Sequence, residues 1–190
     1  MKYCSHCGQS VRQVIPAGDN RLRYVCDDCG TIHYTNPNNV CGAILTWQDK
    51  ILLCKRAIQP RYGLWTLPAG FMENGETVME AAARESMEEA NAVAKKLDLF
   101  AVFSLPHISQ VYLMFHGELA SDHISPGTES LETGLFDIAD IPWNELAFPV
   151  INRSLQLYIE HSRHRDANQL GVHTATAFKN PDGKVDWVDR

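Results

Sequence analysis

The sequence predicts an α/β domain preceded by a small zinc ribbon, and three observations lead to this prediction. Two runs, residues 40–47 and 50–56, are apolar at nearly every position, as expected of strands buried on both faces of a sheet. A glutamate-rich segment of strong helix formers occupies residues 77–90. Two Cys-x-x-Cys pairs lie near the N-terminus. A chain of 190 residues has room for one ordinary domain and a small module of this kind.

The composition is that of a globular protein, with 45% hydrophobic and 21% charged residues. The net charge of −6 argues against broad, sequence-independent nucleic-acid binding, which needs a basic face. It is compatible with a protein that binds anionic substrates through metal ions and a few arginines. The sequence shows no membrane span, signal-peptide core or transit segment, so we expect a cytoplasmic protein without a membrane partner.

The N-terminal module is predicted from four cysteines in two knuckles, each followed by a glycine that permits a tight turn. Four thiolates in paired turns are typical of a tetrahedral structural Zn²⁺ site. A pair of disulfides or a redox-active Cys-x-x-Cys fits the paired spacing less well. His6 and His33 are surplus to a four-sulfur site. The predicted zinc ligands are Cys4, Cys7, Cys26 and Cys29.

A module of this size cannot bury a core, so the metal would supply its folding energy. Zinc ribbons often bind nucleic acid, but the charged residues of this one balance to only about +1. We therefore prefer a structural module that contributes to a dimer or to the wall of the substrate site. Pro37 marks the predicted boundary, which assigns residues 1–37 to the ribbon and 38–165 to the main domain.

Further strands and one helix follow the glutamate-rich segment. Residues 97–105, 110–119 and 133–136 are predicted strands. Pro149 suits the first turn of a helix that ends near Arg163, with its apolar positions packed on the sheet. Residues 166–190 show no clear periodicity and are left as a C-terminal tail of unknown role.

The glutamate-rich segment has clear helix boundaries. Thr77 and Glu80 have the spacing of a capping box, which places the helix start at Thr77. Asn91 suits the left-handed residue that closes a helix. The helical period places three glutamates on one narrow face and an apolar set on the other, which we expect to bury against the core. The apolar set is Met79, Ala83, Met87 and Ala90.

The three glutamates are Glu85, Glu88 and Glu89. Carboxylates concentrated on one arc repel each other unless a cation lies among them. Carboxylate oxygens suit Mg²⁺ or Mn²⁺ better than zinc. The alternative is a solvated acidic face on which Arg84 pairs with Glu80 and Glu88.

The whole stretch from Gly70 resembles the Nudix hydrolase signature, Gly-x5-Glu-x7-Arg-Glu-U-x-Glu-Glu-x-Gly-U, where U is a bulky apolar residue. Ser86 and Ala92 are small where U is expected, and Asn91 replaces a glycine. The matching residues are Gly70, Glu76, Arg84, Glu85, Glu88 and Glu89. The resemblance implies an α/β/α sandwich around a mixed sheet.

Within that superfamily, a zinc ribbon in front of the domain is typical of bacterial NADH pyrophosphatases and of plant FAD and ADP-ribose pyrophosphatases with their bacterial relatives. The NADH group carries a Ser-Gln-Pro-Trp-Pro-Phe-Pro array, whereas this chain has Ser-Leu-Pro-His-Ile-Ser-Gln at residues 104–110. Residues 54–60, 63–70 and 126–132 are similar to the second group. The resemblance therefore implies cleavage of a pyrophosphate bond in FAD or ADP-ribose, with release of AMP.

The resemblance also implies roles for individual residues. Glu85, Glu88 and Glu89, with the Gly70 carbonyl, would hold the catalytic Mg²⁺ or Mn²⁺. Arg84 would orient these glutamates, and Glu76 would brace the loop before the helix.

Residues outside the signature are also candidates. Glu129 or Glu132, in a loop that supplies a base or a metal ligand in Nudix enzymes, is a further candidate catalytic acid. Arg56 is a candidate phosphate ligand. Trp65 is included among the substrate-binding residues, with a core anchor as the alternative.

Three other functions stay open: NADH pyrophosphatase activity, removal of an NAD cap from RNA, and non-hydrolytic nucleotide sensing. A small nucleotide is the expected partner, and nucleic acid is disfavoured by the charge. Related enzymes often form dimers, which implies a homodimer here.

Overall fold

The computed structural model describes residues 1–163 and 171–189. The chain divides into two compact units, Met1–Asn36 and Pro37–Arg190. The predicted boundary after residue 37 lies one residue from this division.

The N-terminal unit is a small antiparallel sheet with two metal-binding knuckles. Its strands are β1 (Val11–Val14), β2 (Arg23–Cys26) and β3 (Ile32–His33), in the order β1-β2-β3. Each knuckle closes in the same way: the N–H of Gly8 donates to the Cys4 carbonyl at 2.9 Å, and that of Gly30 to the Cys26 carbonyl at 3.0 Å. Both glycines have positive φ, which is why a glycine follows each Cys-x-x-Cys.

The second unit is a mixed sheet with two helices. The strands are β4 (Asn38–Trp47), β5 (Lys50–Arg56), β6 (Trp65–Thr66), β7 (Ala69–Phe71), β8 (Ala94–Leu105), β9 (Gln110–Leu119), β10 (Ser130–Phe136), β11 (His173–Lys179) and β12 (Val185–Asp189). The helices are α1 (Val78–Ala90) and α2 (Pro149–Arg163).

The main path of the sheet runs β10-β5-β4-β9-β8-β11-β12. The short strand β6 pairs with β5, and β7 pairs with β4. The β4–β9 and β8–β11 pairs are parallel and the others are antiparallel.

Alternate residues of the central strands belong to two separate hydrophobic cores. On β4, Ile44 belongs to the core that includes the apolar face of α2, while Leu45 belongs to the core that includes α1. Leu53 and Leu52 of β5 divide in the same way. Because both faces of the sheet are covered, these strands are apolar at nearly every position. The predicted α/β/α sandwich is confirmed.

Helix α1 begins and ends as predicted, but it buries a different face. Thr77 caps it in a complete capping box with Glu80, and Asn91 closes it in the left-handed conformation. The expectation that the methionine face packs on the core is wrong, because Met79 and Met87 are 49% and 42% exposed. The buried residues are Ala81, Ala82, Glu85, Ser86, Glu89 and Ala90.

The C-terminal stretch, for which no periodicity was predicted, adds β11 and β12 to the sheet. Strand β11 lies parallel to β8 and buries Ala175 and Ala177 between more exposed neighbours. Alternation of such small residues gives a weak hydrophobic signal, which is why the sequence pattern did not predict a strand. Residues 166–170 and 190 of the predicted tail, and residues 164 and 165 of the predicted main domain, lie outside the described residues. No helix among the described residues is long and apolar enough to cross a membrane.

Candidate active site

The site forms where β7 leads through a short loop into α1. Gly70, in the middle of β7, pairs with Cys41 of β4, which anchors it at the centre of the sheet. The Glu85 carboxylate packs directly against Gly70, and a Cβ atom at that position would collide with both carboxylate oxygens. A side chain at position 70 would therefore force the Glu85 carboxylate to move, so the glycine permits close approach and not an unusual backbone conformation.

Arg84 connects the loop to the helix. It donates five hydrogen bonds to described residues: to Glu76 Oε1 and Oε2 at 2.8 and 3.0 Å, to Glu85 Oε1 at 2.7 Å, to Glu88 Oε2 at 2.9 Å and to the Phe71 carbonyl at 3.0 Å. Donation from Arg84, followed by that from the Glu73 N–H, lowers the pKa of Glu76 to about 2. The Glu76 carboxylate in turn raises the pKa of Arg84 above its usual range. Both groups are thus held fully charged.

The alternative interpretation of α1, a solvated acidic face, does not describe this arrangement. Glu80 accepts from the Thr77 N–H as part of the cap, and Arg84 turns instead to Glu76 and Glu85. Only Glu88 of the three glutamates is exposed, with 58% of its side chain accessible.

Glu85 and Glu89 are carboxylates held against the core. Each is buried, with residue exposures of 8% and 6%. Burial raises the pKa of Glu85 above its ordinary value even though Arg84 opposes the shift. Burial, and then the neighbouring charge of Glu85, raises the pKa of Glu89 to about 8, although the Ala69 N–H donates to it. The positive charge beside these two adjacent buried carboxylates is therefore too small to neutralise both of them.

A divalent cation is the group that would satisfy this pair. Hard oxygen ligands on one helix face suit Mg²⁺ or Mn²⁺, so the residues fit such an ion. The candidate ligands are Glu85, Glu88 and Glu89, with the backbone at Gly70 beside them. Arg84 donates to both Glu85 and Glu88, so its guanidinium supplies part of the positive charge.

The glutamates line a large cavity of about 1380 Å³. Its acidic side also includes Glu129, and the opposite residues are largely apolar. Those apolar residues include Ile58, Pro60, Phe71, Ile108, Tyr112 and Phe148. A cavity of this size exceeds the roughly 300–1,000 Å³ typical of small-molecule sites, so it has room for a ligand with two moieties.

Arg56 lines the same cavity, at the end of β5. Its Nε donates to the Pro60 carbonyl at 3.0 Å, and its guanidinium lies 5.1 Å from the centre of the Phe148 ring. Its charge acts against the upward pKa shifts of Glu89 and Tyr112. Arg56 is thus a cation in the wall of the cavity that the carboxylates line, where a phosphate ligand is expected.

The structure separates the two loop acids. Glu129 lines the cavity, and its charge contributes to the raised pKa values of Glu85 and Glu89. The N–H of Gly127 donates to the Glu89 carbonyl at 3.0 Å, which fixes this loop on α1. Glu132 pairs instead with Lys55 at 3.5 Å, with 59% of its side chain exposed, and is not among the cavity residues.

Trp65, which was expected among the substrate-binding residues, is a core residue. It is 6% exposed and packs edge-on against Phe136, with 4.9 Å between ring centres. Its position on β6, paired with β5, turns the indole into the core on the α2 side of the sheet. The aromatic residues that do line the cavity, Phe71, Tyr112 and Phe148, carry no local sequence signal that distinguishes them from core residues.

The four ribbon cysteines form a cluster in the N-terminal unit. Their sulfur atoms all lie within 4.8 Å of one another, with Cys4–Cys29 at 3.7 Å and Cys7–Cys26 at 3.4 Å. Zn–S distances of about 2.3 Å in a tetrahedral site place the sulfurs roughly 3.8 Å apart, so the cluster fits one zinc ion. The Thr31 hydroxyl and N–H lower the pKa of Cys29 to about 6, which favours the metal-binding thiolate.

His33 has a partner that the spacing of the cysteines does not reveal. Its Nε2 lies 3.2 Å from Cys4 Sγ, so the ring is a neighbour of the predicted metal site, while the cluster that fits the ion consists of the four cysteines. The pairing of β3 with β2 brings it there, and only the folded hairpin makes that contact evident.

Comparison with known families agrees with this geometry. Residues 2–35 match the family described as Nudix N-terminal, a zinc ribbon, and residues 36–156 match the NUDIX domain family. A solved structure of a NUDIX hydrolase from Nitrosomonas europaea is 51% identical, with a TM-score of 0.87 over 93% of this chain and 98% of that one. The NUDIX domain of Shewanella oneidensis NrtR, solved with ADP ribose, shares the fold at 19% identity and a TM-score of 0.60, over 67% of this chain and 89% of that one.

Curated relatives fall into two groups. The ADP-ribose pyrophosphatase of Methanocaldococcus jannaschii is 34% identical over 60% of this chain and 69% of that protein. The NAD-capped RNA hydrolase NudC of Photobacterium profundum is 28% identical over 74% of this chain and 51% of that protein. The chain thus spans about half the length of this NudC relative.

Proposed function

Because the chain belongs to the Nudix hydrolase family and carries the Nudix zinc ribbon, we propose that it hydrolyses the pyrophosphate bond of a nucleoside diphosphate derivative, with ADP-ribose and FAD as its substrates. Water adds to one phosphorus and the bridging P–O bond breaks, which gives two phosphomonoesters and, near neutral pH, releases two protons. ADP-ribose would yield AMP and ribose 5-phosphate, and FAD would yield AMP and FMN.

The observation that carries this proposal is the pair of buried carboxylates on the wall of a large cavity. Glu85 and Glu89 are held in place by the backbone around Gly70 and by Arg84, and Arg56 lies in the wall of the same cavity. When bound, a divalent cation would neutralise phosphate oxygens and lower the pKa of a water molecule.

The residues of this chain would then position the substrate and manage the proton. Arg56 would bind a phosphate oxygen by charge-assisted hydrogen bonds. The apolar part of the cavity would hold the base and the second moiety and exclude water. Glu129 or Glu88, both on the cavity wall, would accept the proton that the attacking water loses. Arg84 and Glu76 would keep the glutamates oriented.

Two observations support a nucleoside diphosphate derivative as the substrate. The relative from M. jannaschii is named an ADP-ribose pyrophosphatase. The cavity is also larger than a mononucleotide requires, which favours a substrate with groups on both sides of the pyrophosphate.

The test is phosphate release coupled to alkaline phosphatase, because the phosphomonoester products are substrates for that enzyme whereas the intact pyrophosphate diesters are not. The panel holds ADP-ribose, FAD, NADH, CoA and dinucleoside polyphosphates, each with Mg²⁺, with Mn²⁺ and with a chelator. Because CoA itself carries a 3′-phosphomonoester, the phosphate released by alkaline phosphatase alone is subtracted. We expect cation-dependent cleavage of ADP-ribose or FAD. Cleavage of neither, by a protein that still binds them, would favour a nucleotide sensor.

A second candidate function is removal of the NAD cap from RNA, and the NudC relatives are the observation that favours it. Residues 104–110 lack the aromatic and proline array of the NADH group, which counts against it. Incubation with an NAD-capped RNA and with free NADH separates the two functions. Cleavage of these substrates at rates above those of ADP-ribose and FAD would replace the first proposal with the second.

A further inference from the structure

A second cavity of about 440 Å³ lies in the unit formed by residues 37–190. It shares only Phe148 with the lining of the cavity that holds the glutamates. Its volume lies within the range of small-molecule sites. Besides Phe148, the polar and aromatic residues in its lining are Arg61, Trp143, Asn152, Arg153, Gln156 and Trp187.

Regular structure places these side chains on common faces. Gln156 lies four residues after Asn152 and three after Arg153 on α2, so its side chain neighbours each of theirs on that helix. Val185 and Trp187 are two residues apart on β12 and share one face of that strand. The cavity is therefore built on a helix and a strand and not on loops alone.

Two arginines line the cavity, and one of them, Arg153, is paired with Asp189. Among its described lining residues, two are arginines and none is aspartate or glutamate. The first turn of α2 contains no acidic residue, so the partial positive charge at this helix end is not neutralised by its own side chains.

Arg153 has a buried hydrogen-bond donor that lacks an acceptor among the described residues. One of its terminal nitrogens donates to Asp189, but its Nε is buried and has no hydrogen-bond partner among the described residues. A buried donor of a charged group without an acceptor is unfavourable, and such groups normally have a partner. Arg61 has a backbone φ of 70°, an uncommon conformation for arginine that is enriched at functional sites.

The aromatic residues in the lining indicate a ligand with a planar ring. Trp143 and Trp187 contribute two half-buried indoles to the lining. Trp187 is held by an edge-on contact with Phe103 of β8, with 5.3 Å between ring centres. Indoles stack on planar rings, and the nearby amides of Asn152 and Gln156 can both donate and accept hydrogen bonds.

We propose that this cavity is a separate binding site for a nucleoside monophosphate. The phosphate would lie at Arg61 and Arg153, and the base would pack on the indoles. This site would be distinct from the one that holds the pyrophosphate at the glutamates. The combination of Arg61, of Arg153 with its partner Asp189, and of two indoles is what distinguishes it from a simple surface hollow.

The test is a titration of the full chain with AMP in the presence of a chelator, followed by tryptophan fluorescence and by calorimetry. We expect AMP to change the fluorescence, and Trp187→Phe to abolish most of that change while Trp47→Phe preserves it. Arg61→Gln should weaken AMP binding by roughly 10-fold or more, as expected for loss of a charge-assisted hydrogen bond. Adenosine, which lacks the phosphate, should bind equally to the wild type and to Arg61→Gln.

The matched control is Arg12→Gln, which removes an arginine of the N-terminal unit that pairs with Asp27. It should leave AMP binding unchanged. Hydrolysis kinetics separate this site from the substrate site, because Arg61→Gln should leave kcat and KM within about two-fold. Equal AMP affinity in Arg61→Gln and the wild type would overturn the proposal. A raised KM in Arg61→Gln would also overturn it, since the cavity would then hold part of the substrate.

Discussion

The carboxylate of Glu85 lies directly against Gly70, in a space that any side chain at position 70 would occupy. The Glu85 position is therefore determined by the absence of a Cβ atom as much as by its hydrogen bond from Arg84. This relationship links a glycine of β7 to the proposed metal ligands of α1.

The variant Gly70→Ala tests this link. We expect the new methyl group to displace the Glu85 carboxylate and to lower kcat by roughly 10- to 100-fold, since small misplacements of a catalytic group have effects of this size. The measurement is steady-state hydrolysis of the best substrate with Mg²⁺. Gly171→Ala is the control, because a Cβ atom there meets nothing within 4 Å. Equal loss of activity in both variants would contradict the explanation.

The variants Glu88→Gln and Glu89→Gln test the carboxylates themselves. Each should lower kcat by at least ~100-fold, because each removes a charge assigned to cation binding or proton transfer. Glu89→Gln should not lower the melting temperature in a chelator, because a neutral amide replaces a buried carboxylate. Wild-type turnover in Glu88→Gln would exclude that residue from the mechanism.

The central strands, the helix caps and the spacing of the acidic residues could be predicted because they depend on local pattern. Runs of apolar residues mark strands covered on both faces, and the Thr77–Glu80 capping box involves neighbours in sequence. The buried face of α1 could not be predicted in this way. Hydrophobicity favours Met79 and Met87, but the small residues Ala81 and Ser86 let the helix approach the sheet closely.

The distinction between Glu129 and Glu132 also depends on tertiary structure. The hydrogen bond from Gly127 to the Glu89 carbonyl brings one acid to the cavity, and the pairing of β10 with β5 places the other beside Lys55. Neither contact joins residues that are close in sequence. The sequence therefore predicts that a loop acid takes part but not which one.

The variants Glu129→Gln and Glu132→Gln test this distinction between the two acids. We expect Glu129→Gln to lower kcat by roughly 10²-fold or more if it accepts the proton from water, and Glu132→Gln to stay within about two-fold of the wild type. A larger effect of Glu132→Gln would mean that the loop rearranges when substrate binds.

The cysteine cluster predicts one zinc ion per chain. Elemental analysis of the reduced protein should find one equivalent, and Cys26→Ser should lose it, because three thiolates bind the ion more weakly. Cys54→Ala is the control, since Cys54 is a buried residue of the main domain and should not affect zinc content. A folded, reduced wild-type protein without zinc would refute the assignment.

Half-buried histidines beside Phe100, on the α2 side of the sheet, predict a pH dependence of stability. Burial lowers the pKa of His116 and of His173 below the ordinary value of about 6.5. Below that pH the unfolded chain binds more protons than the folded chain. The lowered pKa values therefore cost no free energy of unfolding above about pH 6.5. The free energy of unfolding falls as the pH falls towards the pKa values of the two histidines in the folded chain.

The charged neighbours of these rings differ. Asp98 acts to raise the pKa of His116, whereas His161 and Lys96 act to lower it. His161 and Arg153 act to lower the pKa of His173, and Asp189 and Glu160 oppose them. In both cases burial is the largest cause, so the direction of the shift is set by the packing around Phe100.

The measurement is the melting temperature from pH 7.5 to 5.5 for the wild type, His116→Gln and His123→Gln. The buried glutamates have raised pKa values and act in the opposite direction, so the prediction concerns the difference between variants and not the absolute slope. His116→Gln should lose less stability on acidification than the wild type. His123→Gln should match the wild type, because that side chain is 90% exposed. Parallel curves for the wild type and His116→Gln would show that His116 is not protonated preferentially in the unfolded chain.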